Sequence, residues 1–178
     1  ELLQLIQAGQ KLIGENRAQD LQSKYQLIGD QAEWHFIGHL QRNKVKAVIP
    51  YISMLHSLDS LRLAESLEKE LSRINKILPV LIEVNTSGEV SKTGVKPGEV
   101  NQLIKSLAQF PHLKLEGLMT MGALVKNPED NRPHFRKLKQ LAQSAKLSQL
   151  SMGTSHDFEI AIQEGATLIR VGRLVFEK

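Results

Sequence analysis

Apolar positions along this chain follow two alternating periods. Short runs in which apolar residues are consecutive or alternate read as strands at Lys11–Glu15, Trp34–Gly38, Ser53–Ser57, Pro79–Asn85, Leu113–Thr120, Leu147–Met152 and Thr167–Val171. The Pro79–Asn85 run is nearly all apolar, as expected of a strand buried on both faces. Between these runs the spacing is helical. Glu1–Ala8 carries Leu2, Leu3, Leu5 and Ile6 before a stop at Gly9, and Asn16 is placed to cap a helix to about Leu27. Gln41–Ile49 is a helix stopped by Pro50. Asp59 or Ser60 caps a long helix to Ile74 with Leu61, Ala64, Leu67 and Leu71 on one face. Pro97 opens a helix through Gln109, and further helices are read at Pro133–Ala145 and His156–Glu164. The link from Ala145 to the next strand is very short, which suggests absent loop residues there.

Strands alternating with helices make a parallel sheet with right-handed crossovers. Two α/β architectures compete, an open doubly wound sheet and a (β/α)8 TIM-type barrel. The regular strand spacing, with no long excursion at a switch point, favours the barrel. The Glu1–Ala8 helix has no strand before it, so the first barrel strand is expected to lie outside this sequence. A length of 178 residues suits one domain, 1–178.

Composition narrows the function classes. Hydrophobic residues at 41% support a packed core, and aromatics at 4% leave it to Leu, Ile, Val and Ala. A net charge of +4 is spread among acids; without a recognition helix or aromatic platform it does not point to nucleic acid. The absence of cysteine excludes disulfides, thiolate metal sites and a cysteine nucleophile. No run approaches the roughly 18 apolar residues of a membrane span, and no signal-peptide pattern is present, so a cytoplasmic protein is expected.

The stretch with the most chemistry is Ser151-Met152-Gly153-Thr154-Ser155-His156-Asp157-Phe158-Glu159, followed by Gly165 to Arg173. It reads as strand, polar turn, helix, strand, glycine. A helix N-terminus with nearby hydroxyls suits an anion. Strand parity puts Leu168, Arg170 and Gly172 on one face. If that face is the barrel interior, Arg170 needs a partner, either a carboxylate or a bound ligand. Gly172 would let a phosphate approach the backbone. His35 and His39 bracket a strand about 13 Å apart and cannot share an ion, whereas His39 and His56, at adjacent strand ends, are close enough in principle. No carboxylate completes that set. Lys92 resembles the tail of a phosphate-binding loop with the wrong glycine spacing and reads as a solvated loop lysine. Glu15 is the best strand-end acid, with Glu83 read as mid-strand.

Gly14-Glu15-Asn16, Trp34-His35-Phe36-Ile37-Gly38-His39-Leu40-Gln41-Arg42-Asn43-Lys44, His56-Ser57-Leu58-Asp59-Ser60 and Gly117-Leu118-Met119-Thr120-Met121, with the carboxy-terminal pieces above, resemble the YggS/PROSC family of pyridoxal-phosphate homeostasis proteins over essentially the whole chain. The resemblance implies an alanine-racemase-N-like barrel that binds pyridoxal 5′-phosphate (PLP). It assigns the phosphate to Ser155, Gly172 and the backbone around Arg173, and the pyridine nitrogen to Arg170. Asn16 would lie near the ring, and His39, Asn43 and Lys44 would line the mouth. This chain has Arg173 where the family often has Thr, and ends Phe176-Glu177-Lys178 where Phe-Gly is usual. The family's Schiff-base lysine ends the first barrel strand. No lysine here matches it, so it is expected upstream of Glu1. An arginine against the ring nitrogen weakens PLP as an electron sink. Tyr25 and Tyr51 do not match a racemase base. The implied function is therefore a monomeric carrier or buffer in intracellular PLP homeostasis, with PLP-dependent apo-enzymes as recipients and no strong turnover. The alternative is a PLP- or Schiff-base-dependent barrel enzyme of racemase or aldolase type.

Overall fold

The computed structural model describes residues 1–176; the Phe-Gly departure at Glu177 and Lys178 lies outside the described residues. The strands are β1 (Leu12–Glu15), β2 (Glu33–Phe36), β3 (Met54–Leu58), β4 (Leu78–Glu83), β5 (Leu113–Met119), β6 (Gln149–Thr154) and β7 (Leu168–Arg170). They form one parallel sheet in chain order, β1-β2-β3-β4-β5-β6-β7. The sheet curls into a nearly closed TIM-type barrel whose two edge strands are β1 and β7.

The helices are α1 (Leu2–Gln7), α2 (Ala18–Ile28), α3 (Val45–Val48), α4 (Leu61–Ile74), α5 (Val100–Leu107), α6 (Arg132–Ser144), α7 (Phe158–Gln163) and α8 (Arg173–Phe176). Period-two alternation sorts the strands. Trp34, Phe36, Val80, Ile82, Leu118, Leu150 and Met152 face outward onto Leu21, Leu67, Leu71, Phe135 and Leu138 of the helices, in one large core. Met54, Leu81 and Met119, with Leu168 packed against them, form a separate small apolar layer inside the barrel. The interior face also carries His35, His56, Glu83, Ser151 and Arg170, so a polar stratum lies beside an apolar one.

Helix termini account for most differences from the sequence reading. Ser60, not Asp59, caps α4: its hydroxyl accepts from Leu63 N at 3.3 Å, and the helix ends at Asn75 in the left-handed region. Asn16 does not cap α2; Arg17, in extended conformation, occupies that position without a side-chain cap bond. The helix expected over 41–49 splits into a 3-10 turn, Arg42–Lys44, and α3, and that expected from Pro97 begins with the 3-10 turn Pro97–Glu99 before α5. The short link after α6 needs no extra residues. Lys146 takes φ 56°, its N–H reaches Gln143 O at 3.1 Å, and Leu147 N–H reaches Ala142 O at 2.9 Å, which closes the helix in a Schellman motif.

One glycine fixes the sheet locally. At Gly117 an added Cβ would fall onto the backbone carbonyl of Gln149 on the paired strand, so β5 and β6 touch where a side chain would separate them.

Candidate functional site

The carboxyl ends of β5, β6 and β7 surround a cavity of about 670 Å3. Its walls are Met121 to Val125 after β5, Thr154 to Asp157 after β6, Arg170, Gly172 and Arg173 after β7, and Lys92 from the β4–α5 loop. Ser155, Arg170, Gly172 and Arg173 are therefore brought together as the sequence reading expects. Asn16 is exposed beyond β1 and does not line this cavity.

Arg170 is the cation fixed at the end of β7. Nη1 donates to Ser151 Oγ at 2.6 Å, Nη2 donates to Thr120 O at 2.8 Å, and Met121 Sδ lies 3.1 Å from Nη2. No carboxylate touches it among the described residues; Asp157 and Glu83 act on it only at longer range. Of the two partners expected from the sequence, a carboxylate is thus not in contact. Burial pushes the guanidinium down to about 10, with Asp157 and Glu83 opposing the shift, so it stays charged at neutral pH. A positive group in a cavity with no contacting counter-charge suits an acceptor on a ligand.

Opposite Arg170, the Ser155 hydroxyl accepts from Gly172 N at 3.3 Å. A Cβ at Gly172 would meet no heavy atom within 4 Å, so the backbone there borders open space. The other hydroxyl of this turn is already committed. Asp157 Oδ1 accepts from Thr154 N at 2.7 Å and from Thr154 Oγ1 at 3.0 Å. Asp157 Oδ2 accepts from Asn131 Nδ2 at 2.8 Å, and Asn131 clasps both Ala123 N (2.7 Å) and Ala123 O (3.0 Å). The buried carboxylate thus stitches the β6–α7 turn to the loop after β5. The acceptor pattern Thr-x-x-Asp is visible in the sequence, but its link to Asn131 is not.

Lys92 corrects the solvated-lysine reading. The loop after β4 folds back on itself: Asn85 N donates to Val95 O at 2.9 Å, and Asn85 Nδ2 donates to Glu89 O at 2.8 Å. This carries Lys92 across to the cavity, where Nζ donates to Gly122 O at 2.8 Å and pairs with Glu89 at 2.8 Å.

Glu83 is the terminal residue of β4, not mid-strand, because β4 stops two residues earlier than expected. It is buried and accepts from Thr93 Oγ1 at 2.6 Å. Burial raises its pKa, with the Thr93 bond opposing. A carboxyl whose folded pKa is raised favours the fold below its unfolded pKa, and that contribution is lost as pH rises through the folded value. Glu83→Gln keeps an acceptor for Thr93 and removes the charge. It is expected to raise Tm by about 2–4 °C at pH 8, the shift that roughly 1 kcal/mol makes in a chain of this size, and by less at pH 5. Thermal unfolding at the two pH values checks this; an equal shift at both refutes it. Glu15, the sequence's preferred strand-end acid, is instead tied to Lys24.

The histidines pair differently from the expectation. His39 Nδ1 lies 3.1 Å from Asp59 Oδ2 in a separate cavity of about 490 Å3, which Leu40, Gln41, Arg42 and Arg62 also line. Asn43 and Lys44 line neither cavity. His56 does not approach His39 as a metal partner: it lies within β3, inside the barrel, with Nε2 2.9 Å from His35 Nδ1. Among the described residues no group of His, Cys, Asp or Glu could hold a metal ion, and no helix is long and apolar enough to cross a membrane.

Residues 1–177 match the family model described as alanine racemase, N-terminal domain. The chain is 46% identical over 175 residues to the pyridoxal phosphate homeostasis protein of Aquifex aeolicus, covering 94% of this chain and 77% of that one. It is 39% identical to the protein of the same name from Vibrio alginolyticus, covering 98% and 79%. Among solved structures, PipY of Synechococcus elongatus with PLP bound superposes with a TM-score of 0.87 at 29% identity, covering 98% of this chain and 85% of that one. An alanine racemase of Clostridium difficile, at 15% identity and a TM-score of 0.75, shares the fold.

Proposed function

This chain belongs to the alanine racemase N-terminal domain family, among its pyridoxal phosphate homeostasis proteins, and we propose that its β5–β7 cavity binds PLP for storage and delivery rather than for turnover. The observation that carries the reading is the pairing, in one cavity, of a charged Arg170 without a contacting carboxylate among the described residues and an open cradle at Ser155 and Gly172. The residues fit the ligand. Ser155 and the Gly172 backbone take the phosphate, with Arg173 and Lys92 supplying positive charge at the same rim, and Arg170 faces the pyridine nitrogen. Asn16 lies outside the cavity lining, so its assignment to the ring side requires the ring to extend beyond the cavity toward the end of β1.

When bound, PLP supplies an aldehyde that couples to amines and a ring that can accept electrons. The protein's own groups limit the second role. Arg170 can only donate hydrogen bonds and keeps its charge at neutral pH, so it holds the ring nitrogen unprotonated. Ser151 and Thr120 fix the guanidinium, and the Asp157–Asn131 clasp keeps the phosphate turn in place. Delivery to PLP-dependent apo-enzymes, and action as a monomer, belong to the same proposal.

Gly172→Val places methyl groups in open space, so the fold is expected to tolerate it. The expected result in equilibrium dialysis is PLP affinity at least about tenfold weaker with Tm unchanged, since one lost charge-assisted phosphate contact is worth roughly 1.5–3 kcal/mol. Affinity equal to the parent would place the phosphate elsewhere. Racemisation or transamination at rates typical of enzymes, on the order of 1 s−1 or faster, would overturn the carrier role.

A further inference from the structure

Four strands contribute to one buried hydrogen-bonded line across the barrel. Arg170 Nη1 on β7 donates to Ser151 Oγ on β6; Ser151 Oγ lies 2.9 Å from His56 Nδ1 on β3; His56 Nε2 lies 2.9 Å from His35 Nδ1 on β2; and His35 Nε2 lies 3.5 Å from Glu33 Oε1. Ser151, His56 and His35 are buried. Glu33 opens β2 and is exposed, whereas Arg170 closes β7, so the line runs from the amino-terminal face of the barrel to the cavity on the carboxyl-terminal face.

The protons along it can be assigned from the network. Arginine only donates, so Ser151 Oγ accepts from Arg170 and has one hydrogen left to give. It gives it to His56 Nδ1. His56 then carries hydrogen on Nε2 and donates to His35 Nδ1, and His35 carries hydrogen on Nε2, directed at Glu33. Every buried ring nitrogen is satisfied. The reverse polarity leaves the Ser151 hydroxyl hydrogen without an acceptor, a loss that burial makes unfavourable.

We propose that His56 and His35 are positioning residues for Arg170, and that adding a proton at the His35 end reverses the line and loosens the guanidinium at the cavity. A doubly protonated His35 donates from Nδ1 as well. His56 must then accept at Nε2 and hold its hydrogen on Nδ1, and Ser151 must accept from both His56 and Arg170 while turning its own hydrogen away. The charged groups that face the pair are Glu33 and Glu116 at His35, and Arg170 at His56. Burial lowers the pKa of His35 with Glu33 opposing, and burial, then His35 and Arg170, pushes His56 down to about 3. The two histidines are therefore neutral and the line is intact at pH 7, and it is disturbed as pH falls through the lowered value of His35.

The structural test needs no ligand and so stands apart from the PLP reading, on which the affinity consequence rests. Nitrogen-15 spectra of the histidine rings at pH 7.5 are expected to show His35 and His56 as Nε2–H tautomers. Ser151→Ala is expected to move the His56 signals. The Arg170 side-chain resonances are expected to shift on acidification with the midpoint of His35, and to lose that shift in His56→Gln, with thermal unfolding confirming that the variants fold. An Nδ1–H tautomer at His56, or Arg170 signals blind to the His35 titration, overturns the proposal. PLP dissociation constants, taken as the ratio of parent to His56→Gln, are expected to change about five- to tenfold across the pH range in which the ring spectra show His35 titrating. A constant ratio overturns the link to affinity, whereas absence of PLP binding at every pH overturns the carrier reading and leaves the spectra to decide the line.

Discussion

Asp157→Ala is expected to lower the unfolding free energy by about 3–5 kcal/mol and to weaken PLP binding at the same time. Three donors converge on this buried carboxylate: Thr154 N–H, Thr154 O–H and Asn131 Nδ2–H. A buried donor left without an acceptor costs about 1–3 kcal/mol, and part of the deficit is relieved where water enters. A protein of this kind has about 5–15 kcal/mol in total, so the variant folds with little margin. Asp157→Asn separates the contributions. It keeps an acceptor for Thr154 but sets an amide N–H2 against that of Asn131. Asn131 cannot turn over without losing both of its bonds to Ala123, so a smaller loss of about 1–2 kcal/mol is expected. Urea unfolding followed by circular dichroism measures both; a loss below about 0.5 kcal/mol for Asp157→Ala would show that the clasp does not hold the turn.

Gly117→Ala is expected to lower Tm by about 6–12 °C, the effect of roughly 3 kcal/mol in a chain of this length. The added carbon would overlap the carbonyl of Gln149, which is backbone and cannot rotate aside. β5 and β6 must separate, and the pairs Gly117 with Gln149 and Leu118 with Leu150 are lost or stretched. Gly98→Ala is the control. A Cβ there meets nothing within 4 Å and its φ is unstrained, so Tm should move by less than about 2 °C. Equal shifts in the two variants would refute the close approach of the strands.

The barrel is legible in the sequence because its causes are local. Period-two runs such as Trp34–Phe36 and helical spacing such as Ala64, Leu67 and Leu71 each reflect one element facing one core, although Leu61, read onto the same face, is exposed and Leu63 is buried in its place. The parity of Leu168 and Arg170 is readable for the same reason: Leu168 packs on Met54, Leu81 and Met119, and Arg170 faces inward. Contacts across the barrel are not local. His56 meets Ser151 over 95 residues of chain, and no spacing rule connects them. Lys92 reaches the cavity only because the Asn85 loop folds back, and Glu83 becomes a strand-end residue through a shift of two positions in β4. Distances counted along a strand speak to His35 with His39 but could not suggest His35 with His56, which meet from neighbouring strands.

Because the sheet is laid down in the order of the chain, each strand can dock on its predecessor as a ribosome delivers it. The first half of such a nascent barrel already contains Glu33, His35 and His56, but Ser151 and Arg170 arrive last. Until β6 and β7 dock, the two histidines have no neighbour on the cavity side and are open to water, where they titrate as ordinary imidazoles. Completion of the fold and extinction of their charge are then one event, so an incomplete chain in a mildly acidic medium carries extra positive charge on the interior face that β6 and β7 must cover.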